Sequence, residues 1–298
     1  MDLHLSDEVA AAVETGSPIV ALESTVISHG LPYPQNLDTA TLMEQAVREG
    51  GAIPATIAVF EGEFYVGLSR EQIEHLATAK SVRKISRRDL AVASAKRLTC
   101  ATTVATTSLI AHRANIKVFA TGGIGGVHRG TMDDVSADLL ELAQTPITVV
   151  CSGPKIVLDL PATREWLETF GVTVLGWKCD EMPAFYSRRS GLAVDERVES
   201  GAEVAEIASA RDKLGLSSSI LVTAPVPESD AIDSAELESM LEDALEFAEK
   251  QNVTGKNVTP FLLSELSQRS GGRTLGSNIA LLENNARIAA EIANAMIP

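Results

Sequence analysis

Short apolar runs, each cut off by glycine, proline or a polar turn, recur along this chain and alternate with segments of helical periodicity. The runs are Pro18–Thr25 (P-I-V-A-L-E-S-T), Ile53–Phe60, Phe64–Val66, Lys117–Ala120, Ile147–Cys151, Val172–Leu175 and Ile220–Ala224. Nearly continuous apolar runs of this length mark strands buried on both faces, which occur where helices cover a parallel sheet. Between and after them the periodicity predicts helices from Ser6 to Val13, with Gly16 as stop signal, and over Asn36–Glu49. A further helix starts at Ser69 and ends before Ser81, and others follow over Asp134–Leu142, Thr163–Phe170, Ser234–Lys250, Pro260–Ser270 and Ser277–Met296. Strand–helix alternation predicts the α/β class: a three-layer α/β/α sandwich around a largely parallel central sheet. The tight turn at Glu61-Gly62 joins two of the runs as a hairpin, so the sheet is expected to be mixed. No internal repeat or long linker divides residues 1–298, and a single domain is expected.

The formal net charge of −15 argues against nucleic acid or an anionic membrane as the main partner. An anionic small molecule then needs a local cationic or backbone-amide site, and the most cationic stretch is Lys80–Arg88. Cys100, Cys151 and Cys179 are widely spaced without a C-x-x-C pair, which disfavours a disulfide framework or a structural zinc. The first residues show no basic n-region followed by an apolar h-region, and no apolar stretch reaches membrane-spanning length. A cytoplasmic location is the expectation.

Several segments carry side chains suited to chemistry. The run I-T-V-V-C-S-G-P-K ends in a Gly153-Pro154 turn that delivers Lys155. Desolvation favours the neutral amine of a lysine, the form that attacks carbonyl carbons, so Lys155 is the candidate nucleophile, against the plainer reading of a surface lysine. Glu23 ends an apolar strand, where an unpaired carboxyl has a raised pKa and suits proton transfer; an ion pair is the alternative. Thr121–Gly130 (T-G-G-I-G-G-V-H-R-G) follows a strand and precedes a helix, so its amides either approach an anion or simply make a tight turn. It fails the dinucleotide pattern because His128 stands at the last glycine position, and the P-loop pattern because no lysine follows Gly130. Asp133, Asp134 and Asp138 cluster at the expected start of the next helix, with Asp134 and Asp138 one turn apart. Such oxygens suit Mg²⁺ or Mn²⁺, or complement the helix dipole. Cys100–Ser108 is rich in hydroxyls, and Asn278 sits where a helix is expected to begin.

Taken together, V-A-L-E-S-T-V-I-S-H-G-L-P-Y-P-Q-N, K-I-S-R-R-D-L, A-T-T-V-A-T-T, V-F-A-T-G-G-I-G-G-V-H-R-G, S-A-D-L, V-V-C-S-G-P-K, T-P-F-L-L and a late S-N-I resemble the pseudouridine-5′-phosphate glycosidases, the indigoidine synthase A-like family. The resemblance runs from Val20 to Asn278. It implies reversible cleavage of the C–C glycosidic bond of pseudouridine 5′-phosphate to uracil and ribose 5-phosphate, in nucleotide catabolism. It implies Lys155 as the Schiff-base former on the ring-opened sugar, Glu23 as proton donor or acceptor, and Asp134 as ligand of a Mn²⁺ cofactor. Lys84 would bind the phosphate. Val104, Thr121, His128, Asn278 and the Ser136-Ala137-Asp138 segment would contact substrate. A homotrimer is likewise implied. A C–C glycosidic bond lacks a heteroatom leaving group, so an iminium beside the breaking bond is chemically apt. Two other readings remain open at this point: a Schiff-base aldolase on another sugar phosphate, and a sugar-phosphate-binding regulator without activity.

Overall fold

A computed structural model describes residues 1–130, 134–253 and 258–297. The apolar runs become strands of one eleven-stranded sheet, with a separate two-stranded ribbon. In chain order the strands are β1 (Leu3–Leu5), β2 (Ile19–Leu22), β3 (Ile53–Phe60), β4 (Glu63–Val66), β5 (Arg83–Ile85), β6 (Cys100–Thr102), β7 (Val118–Ala120), β8 (Val127–His128), β9 (Thr148–Cys151), β10 (Leu158–Asp159), β11 (Thr173–Trp177), β12 (Glu196–Val198) and β13 (Ile220–Thr223). The main path runs β1-β4-β3-β2-β7-β9-β13-β11-β12, with β6 beside β3 and β5 beside β6, while β8 and β10 form the ribbon. From β3 to β12 along that path every pairing is parallel; β3 meets β4 and β6 antiparallel. The expected hairpin thus makes the sheet mixed.

The helices are α1 (Asp7–Thr15), α2 (Gln35–Glu49), α3 (Arg70–Thr78), α4 (Leu90–Ala95), α5 (Val104–Arg113), α6 (Ala137–Gln144), α7 (Leu160–Thr169), α8 (Gly201–Lys213), α9 (Ser234–Lys250), α10 (Val258–Arg269) and α11 (Arg273–Ala295). Successive residues of each strand face opposite layers. Val20, Leu22, Val118, Ala120, Val150 and Val222 pack with Met43 and Val47 of α2, Val204 of α8 and Leu281 and Ile292 of α11. Ile19, Ala21, Phe119, Val149 and Leu221 pack with Val9 of α1, Ile110 of α5, Leu139 and Leu142 of α6 and Leu167 of α7. Those two cores are the two interlayer spaces of the sandwich. Helix punctuation follows the residues: Ser6 accepts from the Val9 amide and Gly16 takes the left-handed conformation after α1, while Ser69 and Gln72 form a reciprocal cap on α3. Among the described residues no helix is long and apolar enough to cross a membrane.

Two expectations give way. The helix predicted from Asp134 starts at Ala137, because the Ser136 side chain caps it by accepting from the Asp138 amide at 3.2 Å. Asp134 instead belongs to a segment that folds back on β8, where the His128 amide donates to its carbonyl at 2.9 Å. Asp134 and Asp138 therefore do not share a helical face; Asp133 lies outside the described residues. The last helix begins at Arg273, so Asn278 stands in its second turn rather than at its start. The hydroxyl-rich stretch Cys100–Ser108 divides into β6 and α5, with the Thr103 side chain capping the helix.

Candidate active site

The parallel strands β2, β7 and β9 are neighbours, and their register aligns Leu22 with Ala120 and Ala120 with Val150. The residues that emerge next are Glu23, Thr121 and Cys151, at the carboxyl edge where open parallel sheets collect ligands. Glu23 is 8% exposed, and the Thr121 hydroxyl on the adjacent strand donates to its Oε1. Burial pushes the Glu23 carboxyl above the ordinary carboxylate range. The Lys155 ammonium, the Thr121 hydrogen bond and, more weakly, Lys84 pull it back down, and Asp138 adds to the rise. The flanking Ser24 and Thr25 are tied down: Ser24 Oγ donates to the Ile57 carbonyl at 2.7 Å, and Thr25 Oγ1 to the Thr102 carbonyl at 2.7 Å. The carboxyl therefore has little freedom to escape to water.

Beyond β9 the chain turns sharply through Ser152-Gly153-Pro154. Gly153 has φ 82°, and a Cβ there would sit inside the van der Waals envelope of the Pro183 carbonyl oxygen. The turn is pinned on both sides, by the Phe185 amide donating to the Ser152 carbonyl at 2.9 Å and by the Lys155 amide donating to the Ile124 carbonyl at 3.2 Å. Lys155 leaves this turn half-buried and facing Glu23 across the cleft. A Gly153→Ala chain is expected to lose more than about 2 kcal/mol of stability through left-handed strain and overpacking. Chemical denaturation checks this, and an unchanged midpoint contradicts it.

One amide of the glycine-rich turn is taken up within the protein itself. Gly125 donates its amide at 2.8 Å to Asp138 Oδ2, and Ala105 at the start of α5 donates to Oδ1 at 3.0 Å. A Cβ on Gly125 would collide with Ser136. Asp138, 6% exposed, is thus a strut joining the turn to α5, and Gly125 is small so that α6 can close on it.

Glu23, Lys84, Val104, Thr121, His128, Asp134, Ser136, Ala137, Asp138, Lys155 and Asn278, all candidates from the sequence, line one continuous cleft. Thr121 and Asn278 line one chamber with Phe185 and Leu282; Val104, His128, Asp134, Ser136, Ala137 and Asp138 line the other; Glu23, Lys84 and Lys155 border both. Thr25 and Thr259 also border both chambers, and Ser86 and Arg88 line the second. These four were not singled out from the sequence, although T-P at 259–260 is a helix-start signal and Ser86 and Arg88 lie inside the cationic stretch. Among the described residues no group of three or more His, Cys, Asp or Glu side chains converges to hold a metal. Asp138 already accepts two backbone amides, whereas Asp134 is an exposed carboxylate on the cleft wall. One carboxylate plus waters and substrate oxygens is a common way to bind a small hard divalent ion. The donor set fits such a water-rich ion and not a protein-enclosed one.

The model of indigoidine synthase A-like proteins matches residues 8–295. This chain belongs to that family. A relative in Paracoccus denitrificans named pseudouridine-5′-phosphate glycosidase is 54% identical over 298 residues, covering 99% of this chain and 98% of its own. One of the same name in Caldanaerobacter subterraneus subsp. tengcongensis is 51% identical over 293 residues, covering 98% and 95%. The fold matches the crystal structure of the prealnumycin C-glycosynthase in complex with ribulose 5-phosphate with a TM-score of 0.91, at 40% identity over 99% of this chain and 96% of that one. An indigoidine synthase A-like protein from Thermotoga maritima gives the same TM-score, 0.91, at 37% identity over 99% and 97%. Both solved structures share the mixed, mostly parallel sheet flanked by helices.

Proposed function

We propose that this chain is an enzyme that reversibly cleaves the C–C glycosidic bond of pseudouridine 5′-phosphate, releasing uracil and ribose 5-phosphate. The observation that carries this reading is the facing pair at the sheet edge: a desolvated, Thr121-bonded Glu23 and the Lys155 ammonium, together bordering both chambers of one cleft. Family membership and relatives named for this activity support it.

In the cleavage direction the C1′–O4′ bond breaks, the neutral Lys155 amine bonds to C1′, and the proton lost from nitrogen ends on O4′ as the hydroxyl of the opened sugar. Protonated Glu23 delivers its proton to uracil C5. The C1′–C5 bond then breaks, its electron pair restoring the uracil double bond, while the lysine nitrogen lone pair forms the C=N bond of an iminium at C1′. Water adds to that iminium, regenerating the amine and releasing ribose 5-phosphate. Read backwards, the iminium carbon accepts the electrons of uracil C5, and Glu23 removes the C5 proton. Burial suits Glu23 to both roles because it holds the proton at pH values where an exposed carboxyl has lost it.

Lys84 is assigned to the 5′-phosphate, with the start of α5 at Val104 and Ser136-Ala137 beside it in the same chamber. Thr121 and Asn278 border the chamber assigned to the base, against the apolar walls of Phe185 and Leu282. Asp134 would hold Mn²⁺, which supplies positive charge near the sugar phosphate when bound. A homotrimer working in the cytoplasm completes the proposal.

The deciding experiment incubates the folded chain with uracil, ribose 5-phosphate and Mn²⁺ and follows pseudouridine 5′-phosphate by chromatography. Accumulation of that product is expected. Its absence across a range of divalent ions removes the proposal.

A further inference from the structure

The strand that carries Lys84, β5, has only three residues and, among the described residues, pairs with β6 alone, Lys84 opposite Ala101. So short an edge strand fixes a side chain poorly by itself. Two ties come from α5 and its cap: Thr106 Oγ1 donates to the Ile85 carbonyl at 3.0 Å, and the Thr103 amide donates to the same carbonyl at 3.3 Å. A third tie reaches away from the cleft. Arg87 Nη1 donates to both carboxylate oxygens of Glu141, at 3.1 and 3.1 Å. Glu141 is 1% exposed and also accepts from Thr145 Oγ1 at 2.6 Å. A carboxylate that deeply buried is tolerated when paired and hydrogen-bonded, and becomes costly when its partner is removed.

Glu141 stands on α6 three residues after Asp138, hence on the same side of the helix. One face of α6 therefore holds the Lys84 segment through Arg87, the first turn of α5 through Ala105, and the glycine turn through Gly125. Those three segments wall the same chamber.

We propose that Arg87, which does not line the cleft, is a positioning residue: through Glu141 it sets where Lys84 and Ser86 stand relative to the start of α5, and so sets affinity for the phosphate group of the substrate. This rests on the assignment of Lys84 to the 5′-phosphate. The pair acts on binding of the phosphorylated sugar and not on the bond-breaking step at Glu23 and Lys155.

The test uses the full chain carrying Arg87→Met, which keeps an apolar stem, and Arg87→Lys, which keeps the charge but not the fork. Steady-state cleavage of pseudouridine 5′-phosphate is measured beside calorimetric binding of ribose 5-phosphate. Arg87→Met is expected to raise both KM and the ribose 5-phosphate Kd about tenfold, with kcat within about threefold of the parent, and Arg87→Lys to recover part of the loss. A pair that only stabilises the fold lowers Tm and leaves KM and Kd unchanged; that result overturns the proposal. If Arg87→Met does not fold, Glu141→Gln, of the same shape without the charge, takes its place, with a rise of about threefold in both constants expected and constancy fatal. A parent chain that binds ribose 5-phosphate without cleaving pseudouridine 5′-phosphate removes the proposed reaction but leaves the Kd comparison to decide on Arg87. A parent chain that cleaves, with Arg87→Met unchanged in KM, removes the positioning role alone.

Discussion

Lys155→Met is expected to lower kcat for pseudouridine 5′-phosphate cleavage by at least about 10⁴-fold, since loss of a covalent nucleophile removes the reaction path rather than weakening one contact. The fold should survive, because the turn that presents residue 155 is held by its backbone amide on the Ile124 carbonyl and by Gly153, not by the ammonium. Borohydride in the presence of ribose 5-phosphate reduces the C=N bond to a stable secondary amine. Peptide mass spectrometry should place that adduct on Lys155 in the parent chain and find none in Lys155→Met. Turnover in the variant within about 100-fold of the parent would show that the covalent route is wrong.

The second large effect belongs to Glu23. Glu23→Gln keeps the shape and an acceptor for Thr121 but has no proton to give, and a fall in kcat of about 10³-fold is expected. In the parent chain the cleavage rate should decline as pH rises through the elevated Glu23 pKa, and this limb should vanish in the variant. The substitution should move stability the opposite way from activity. The native state keeps the Glu23 proton at pH values where the unfolded chain has lost it, so the native form binds more protons between the ordinary carboxylate pKa and the raised one. Stability therefore falls with rising pH across that window, and above it the full cost persists. Glutamine carries no such cost. The variant should melt above the parent at pH 8 and close to it at pH 4. A variant less stable than the parent at pH 8 would mean that burial of this carboxyl is fully compensated.

The strands that frame the site were legible because β2, β7, β9 and β13 are buried on both faces, which leaves a continuous apolar signature. Strands β1, β5 and β12 interrupt their few positions with exposed polar or charged residues, and β6 runs into threonines, so none leaves the continuous apolar run that β7 does. Helix α8 escaped notice because its buried side includes Arg211, ion-paired to Asp212, so its apolar stripe is interrupted. The four-residue spacing of Asp134 and Asp138 misled for a local reason: the spacing implies one face only if the helix spans both, and the Ser136 cap falls between them. For Glu23 and Lys155 the residue types and their motifs were readable. Their meeting came from the resemblance alone and not from spacing, because it depends on β7 lying between β2 and β9, a pairing decided by tertiary packing.

Helix α11 has a bearing on biosynthesis. Asn285, fully buried within it, donates to the Thr121 carbonyl at 2.9 Å and to Ser152 Oγ at 3.1 Å, clasping the ends of β7 and β9 where the cleft begins. Leu281 and Ile292 of the same helix fill one interlayer space. The strands are synthesised before the residue that fastens their ends. Every nascent chain therefore passes through a stage with the sheet translated and one face only partly covered, by α2 and α8 without α11, when apolar surface is open to chaperones and to other chains. Deletion of α11 should be as damaging to the cleft as loss of one of its own walls.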